Sequence, residues 1–248
     1  MPAYNAQETV EKTFNDLPRD LINEVILVDD ASRDKTVEKA RKIGLTVYVH
    51  PENRGYGGNQ KTCYDQALRR NPDIVVMVHP DYQYDSRLVG VLCEPIVNSR
   101  ADIMLGSRIQ TRHQVLSQGM PLWKYLANRF LTLVENLAMG LNLSEYHTGF
   151  RAFSSHVLKT IPYHRFSDDF IFDQQILISA LSYGFNISEI PVPCKYFPKA
   201  SSINFIRSTK YGILTLWTVF TYLLHQIGIV KISLETPKNS KEDRSSKY

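Results

Sequence analysis

The sequence predicts an α/β fold, a mostly parallel sheet flanked by helices. Short apolar runs end in polar, acid-rich segments at 24–36 (EVILVDDASRDKT) and 73–85 (DIVVMVHPDYQYD), and helical stretches alternate with such runs, one following Ser32 and Asp34 and one at 61–70. Alternation of this kind builds βαβ units, because parallel neighbours need a crossover between them. In open sheets of this type a ligand sits beyond the carboxyl ends of the strands, where both acid-rich segments fall.

Each element follows from its own pattern. Residues 45–51 (LTVYVHP) read as a strand, 53–60 (NRGYGGNQ) as a Gly-rich turn and 61–70 (KTCYDQALRR) as a helix. The chain opens on PAYN at 2–5, where the first strand of such a sheet should already have ended. That strand is therefore expected to be absent from the sequence or to lie upstream of its start. Residues 102–109 (DIMLGSRI) form a further strand. Leu122, Leu126, Phe130, Val134, Leu137 and Leu141 recur at three- and four-residue steps, an amphipathic helix over 120–141. A strand at 148–154, a loop and helix at 167–184 ending on Gly184, and an edge strand at 186–197 with its prolines complete the domain. The most apolar run, 211–230, carries Thr215, Thr218, Thr221, Tyr222, His225 and Gln226 as one polar stripe between Arg207, Lys210 and Lys231. Such a helix can lie on a membrane or a partner, pack onto the domain, or span a bilayer. The expected organisation is a domain over 1–205, an amphipathic helix over 206–232 and a disordered charged tail over 233–248.

Composition narrows the function classes. The 248 residues are 43% hydrophobic and 22% charged, with a net charge of +4, so disorder and collagen are excluded for the whole chain. Acids and bases are mixed rather than clustered, which argues against a nucleic-acid partner. Cys63, Cys93 and Cys194 are odd in number and far apart, so neither a disulfide framework nor a zinc ribbon is expected. No basic segment precedes an apolar one at the amino terminus, and the expected location is the cytosolic side of the cell.

Carboxylates at strand ends suit two tasks. Asp29 or Asp30 can accept hydrogen bonds from the N–H and O–H donors of a nucleoside, or can simply cap the next helix. Asp81, Gln83 and Asp85 fall on alternate residues, so an extended segment would place their oxygens on one side, as Mg²⁺ or Mn²⁺ bridging a diphosphate requires. NRGYGG lacks the Lys-Ser/Thr of a P-loop and reads as an ordinary turn.

The ordered set PAYN at 2–5, VDDASRDKT at 28–36, NRGYGGNQ at 53–60, HPDYQYD at 79–85, GSR at 106–108 and HTGFRAF at 147–153 resembles the family 2 glycosyltransferases. Within that group it is most similar to the polyprenyl-phosphate sugar synthases of the dolichyl-phosphate mannose synthase type, over residues 1–205. The resemblance implies a GT-A (Rossmann-like) fold, a nucleotide-sugar donor, a divalent metal and an inverting transfer. It places Pro2, Tyr4, Asp29 and Asp30 against the nucleotide, and Asp81 and Gln83 in the metal pattern. His79 stands where that pattern has its first acid, a neutral and softer donor that should favour Mn²⁺ over Mg²⁺. Ala6 replaces the usual glutamate after PAYN. Arg129 and Arg151 match arginines near phosphates, and Lys199, Ser201 and Ser202 a segment that closes over the diphosphate.

For an acceptor hydroxyl, Asp168 or Asp169 would be the general base; for a lipid phosphate no base is needed and arginines matter more. Capping of the following helix is a third reading of that pair. The expected activity is sugar transfer from a nucleotide diphosphate to a lipid phosphate, with a glycan or glycolipid hydroxyl as the alternative acceptor. A membrane surface and a second copy of the chain are the further partners considered. A non-catalytic nucleotide-sugar-binding or scaffold protein is the alternative outside the enzyme class.

Overall fold

The structure, a computed structural model, describes residues 1–109, 111–117, 119–195 and 205–229. In chain order the elements are β1 (Pro2–Ala3), α1 (Val10–Asn15), β2 (Ile26–Asp29), α2 (Thr36–Lys42), β3 (Thr46–Val49), α3 (Gly55–Leu68), β4 (Ile74–Met77) and α4 (Val89–Val97). There follow β5 (Ile103–Ser107), α5 (Arg112–Ser117), α6 (Leu122–Met139), β6 (Arg151–Ser154), α7 (Ser155–Thr160), α8 (Phe172–Ser182), β7 (Ile187–Pro191) and α9 (Phe205–Gln226).

A two-residue strand stands at this edge of the sheet. Pro2 and Ala3 pair in parallel with Val28 and Asp29, and the terminal ammonium of Met1 donates to the Ile26 carbonyl at 2.8 Å. β2 is also paired on its other side, in parallel with β3 from Ile26 to Asp29. The second sheet runs β4-β6-β5-β7. Here β6 is antiparallel to both β4 and β5, while β5 and β7 are parallel over five residues. β7 is an edge strand, which tolerates its proline.

The core forms two apolar layers. Tyr64 of α3, Phe153 of β6 and Phe172 of α8 meet edge to face or offset, with ring centroids 5.6–6.3 Å apart. The other layer packs Val10, Leu27, Leu92, Met104 and Val192 between α1, α4 and the strands. Each buried residue of this size contributes roughly 1.5–3 kcal/mol relative to exposure.

α6 and α9 pack on each other with their polar sides inward. On α6, Asn128, Thr132 and Glu135 are buried, and on α9 Thr215 and Thr218, whereas Leu126, Phe130, Leu133 and Leu137 of α6 and Ile213, Trp217 and Phe220 of α9 are exposed. The polar stripe read in 211–230 is therefore the packing face, joined by Val219 and Tyr222 to the core. Among the described residues no helix is long and apolar enough to cross a membrane. The tail expected at 233–248 lies outside the described residues.

Candidate active site

Tyr4, Asp29 and the His79–Asp81 segment lie at or just past the carboxyl ends of β1, β2 and β4. Tyr4 is half exposed just after β1. Asp29 ends β2; its Oδ2 accepts from the Ser32 N–H at 2.8 Å, and its Oδ1 is buried without a hydrogen bond. Ala31 follows at φ +61°, a left-handed turn that redirects the chain immediately after the strand.

Asp30 points elsewhere. It is 3% exposed, its Oδ1 accepts from the Arg54 N–H and lies 2.7 Å from His50 Nδ1, and its Oδ2 accepts from the Gly55 N–H at 3.1 Å. The carboxylate thus holds the loop that enters α3, and both oxygens expected to face a nucleotide are engaged within the protein. The stretch read as a Gly-rich turn at 53–60 is helical from Gly55, because α3 starts there rather than at Lys61, and the glycines of its first turn have a related task. Gly57 and Gly58 N–H groups donate to the Asp168 carbonyl, and a Cβ on Gly57 would lie 2.5 Å from the Ser167 carbonyl oxygen. Backbone-to-backbone packing, rather than phosphate, explains them.

Beyond β4 the chain does not remain extended. Tyr82 has φ +60° and its hydroxyl donates to Asp16 Oδ2 at 2.7 Å, which fixes the turn. Asp81 Oδ1 accepts from the Gln83 N–H, and Asp85 turns away to Arg87. The alternation that would have lined up Asp81, Gln83 and Asp85 is replaced by a strained turn, a feature that clusters at functional sites.

His79 stacks on Tyr56 at 5.4 Å with the rings nearly parallel. Burial lowers the His79 pKa, against the opposing pull of Asp81 and Asp173, and a neutral imidazole is the form that binds metal. Among the described residues there is no cluster of three or more His, Cys, Asp or Glu side chains able to hold a metal alone. His79 and Asp81 supply one imidazole and one carboxylate, a set suited to a cation that also takes oxygens from a bound diphosphate.

The arginines separate. Arg151, expected near phosphate, is 1% exposed: Nε donates to the Thr148 carbonyl, Nη1 to that of Asp173 and Nη2 to that of Tyr146, with Asp173 Oδ1 3.2 Å from Nη1. It braces the HTGF loop and α8 and cannot clamp an incoming phosphate. Arg108 of the GSR segment is likewise fixed, on buried Glu145 and the His147 carbonyl. Arg129 is half-buried on α6 and gives one bond, Nη1 to the Ser144 carbonyl at 2.6 Å.

Asp168 and Asp169 are exposed and both meet lysines, Asp168 at 2.8 Å from Lys61 Nζ and Asp169 at 3.3 Å from Lys210 Nζ of α9. Lys199, Ser201 and Ser202 lie outside the described residues.

Two buried carboxylates and a half-buried tyrosine were not marked by the sequence. Asp173, four residues past Asp169, accepts from Tyr56 and Gln60; Glu135 lies 3.2 Å from His147 Nε2; and Tyr211 of α9 lies 2.9 Å from His147 Nδ1. Tyr56 and Gln60 are four apart on one face of α3, the local signal that could have paired them. The other partnerships join residues 12 to 117 positions apart, which no local pattern displays.

Residues 1–161 match the model of "Glycosyl transferase family 2". An uncharacterized protein of Methanocaldococcus jannaschii is 30% identical over 79% of this chain and 80% of its own length. The UDP-N-acetylglucosamine–dolichyl-phosphate N-acetylglucosaminyltransferase of Methanococcus voltae is 26% identical over 79% of this chain and 84% of its own. In structure, glucosyl-3-phosphoglycerate synthase of Mycobacterium tuberculosis, solved with Mn²⁺ and UDP-glucose, superposes with a TM-score of 0.65 over 93% of this chain and 78% of that one, at 18% identity. That likeness establishes the shared GT-A fold. With acid-ended strands, a strained turn beside His79 and Asp81, and a model match over residues 1–161, the chain belongs to glycosyl transferase family 2 and is a glycosyltransferase.

Proposed function

We propose that the enzyme transfers a sugar, with inversion, from a nucleotide-diphosphate donor to a polyprenyl- or dolichyl-phosphate lipid at a membrane surface. One observation carries the choice of a lipid acceptor: α6 and α9 bury their polar sides and expose a joint apolar face that includes Phe130, Leu137, Ile213 and Trp217. A face of that kind binds the boundary between headgroups and acyl chains. Exposed Arg207 and Lys210 near the start of α9 add attraction for anionic lipid, and the Methanococcus voltae relative is named for a dolichyl-phosphate acceptor.

The donor lies across the ends of β1, β2 and β4, with Pro2, Tyr4 and Asp29 against the nucleotide. His79 and Asp81 would hold a divalent cation, with Gln83 of the same segment as the further ligand the family pattern implies, and Mn²⁺ before Mg²⁺ because imidazole is the softer donor. When bound, that cation neutralises charge on the departing diphosphate. Arg129, at the border of the apolar face, orients the acceptor phosphate. A phosphate oxygen of the acceptor attacks the anomeric carbon in line, the bond from that carbon to the diphosphate oxygen breaks, and the nucleoside diphosphate leaves with the electron pair. The acceptor is already an anion, so no proton has to be removed, which agrees with Asp168 and Asp169 being engaged by lysines.

Purified protein with Mn²⁺, a panel of nucleotide sugars and polyprenyl phosphate in detergent should form lipid-linked sugar, and Asp81→Ala should abolish it. Absence of turnover with every donor and acceptor refutes the assignment. Asp169→Asn should leave kcat within a few-fold of the parent; a fall of roughly 10²-fold or more would point to a hydroxyl acceptor and a general base.

A further inference from the structure

The departure at His79 is accompanied by a hydrogen-bond array that leads from a buried carboxylate to the imidazole. Asp173 of α8 accepts on Oδ1 from Gln60 Nε2 at 3.0 Å and faces Arg151, and on Oδ2 it accepts the Tyr56 hydroxyl proton at 2.7 Å. A tyrosine hydroxyl has one proton, so toward His79 Nε2, 3.4 Å away, Tyr56 offers only an oxygen lone pair. The nitrogen facing it must therefore carry the hydrogen. Packing supports the same orientation: a Cβ on Gly149 would lie 2.9 Å from His79 Cδ2 and 3.0 Å from Nε2, so that edge of the ring is closed against the HTGF loop. The edge bearing Nδ1 is turned away from Gly149.

We propose that Asp173 and Tyr56 are positioning residues that fix His79 in the Nε2–H tautomer, leaving the Nδ1 lone pair as the nitrogen offered to the divalent cation beside Asp81. The proposal rests on the reading of His79 and Asp81 as metal ligands and adds the means by which a histidine takes the place of an acid there. A carboxylate behind a ligating histidine sets its tautomer and strengthens it as a donor, and removal of such partners weakens metal binding ~10–100-fold. Here the carboxylate acts through a tyrosine. Phe170 packs on the other contact of that ring at 4.6 Å, so the array has little room to swing.

Nitrogen-15 NMR of histidine-labelled full chain, without metal, reads the tautomer directly, with His79→Gln identifying the signal. Protonated Nε2 and bare Nδ1 are expected, and the opposite tautomer overturns the proposal. In parallel, Mn²⁺ is titrated by electron paramagnetic resonance in the presence of UDP or GDP. Tyr56→Phe, which retains the ring and its stacking, should weaken Mn²⁺ binding about tenfold with thermal unfolding unchanged, and should have no effect in a His79→Asp background. If Tyr56→Phe binds Mn²⁺ as the parent does while His79→Gln does not, the tyrosine relay is wrong and the metal assignment survives. If His79→Gln also binds as the parent does, His79 is no ligand and both fall.

Discussion

Burial decides what each charged side chain can do. Arg151 and Glu145 are both inside, and their energetic role is cohesion. Burial alone would raise the Glu145 pKa; the Arg108 guanidinium outweighs that and holds it below the ordinary 4.5. A depressed carboxylate contributes stability that is full above its unfolded value and is lost as pH falls through the folded one. Removing one partner of such a buried pair costs ~3–5 kcal/mol. Glu145→Ala should therefore lower unfolding free energy by about that much at pH 7, and the deficit should shrink below about pH 4.5, which urea denaturation at several pH values would show. Gly57 gives a second test. Alanine there would bring its Cβ within 2.5 Å of a backbone carbonyl that cannot rotate away, and Gly57→Ala should lose ~1–3 kcal/mol or more in the same measurement.

At the scale of elements, α6 and α9 explain why periodicity fixes a helix but not its orientation. The steps of Leu122 to Leu141 predict 120–141 and the helix runs Leu122–Met139; the run 211–230 belongs to a helix over Phe205–Gln226. Both are amphipathic as read, yet the side that packs is the polar one: Glu135 of α6 lies 3.2 Å from His147 Nε2, and Tyr211 of α9 bonds the other ring nitrogen at 2.9 Å. An apolar side left outside is stable only where something other than water covers it. Replacing Phe130 and Trp217 together by glutamate should change the unfolding midpoint little, since both are exposed, but should abolish sedimentation with vesicles containing anionic lipid. Unchanged sedimentation would remove the lipid surface from the proposed function.

Over the whole molecule, the site is a meeting of segments distant in the chain. In the proposed site Tyr4, Asp29, His79 and Asp81 come from the segments that follow β1, β2 and β4; Tyr56 of α3 meets His79 and Asp173 of α8, and Gly149 of the HTGF loop lies against the His79 ring. The order of strands and helices, the acid-ended strands, the edge position of β7, the two amphipathic helices and the family were legible in the sequence. Each of them depends on residues near one another in the chain: alternation, apolar spacing and ordered short motifs. Two readings required correction. The turn read at 53–60 is helix from Gly55, where Gly57 and Gly58 bond the Asp168 carbonyl, and Asp81, Gln83 and Asp85 do not align because the Tyr82 hydroxyl is held by Asp16, 66 positions away. The same holds for which carboxylates and arginines remain available. VDD and HTGFR name the acids and the arginine, but only the folded chain shows that Asp30 and Arg151 are engaged internally, while Arg129 is half-buried and donates to the Ser144 carbonyl. The sequence by itself determined the fold, the enzyme family and the neighbourhood of the site, since those follow from local patterns. Tertiary structure decided which side of two helices is outside and which groups in the site are committed, because hydrogen bonding and burial are properties of residues brought together from far along the chain.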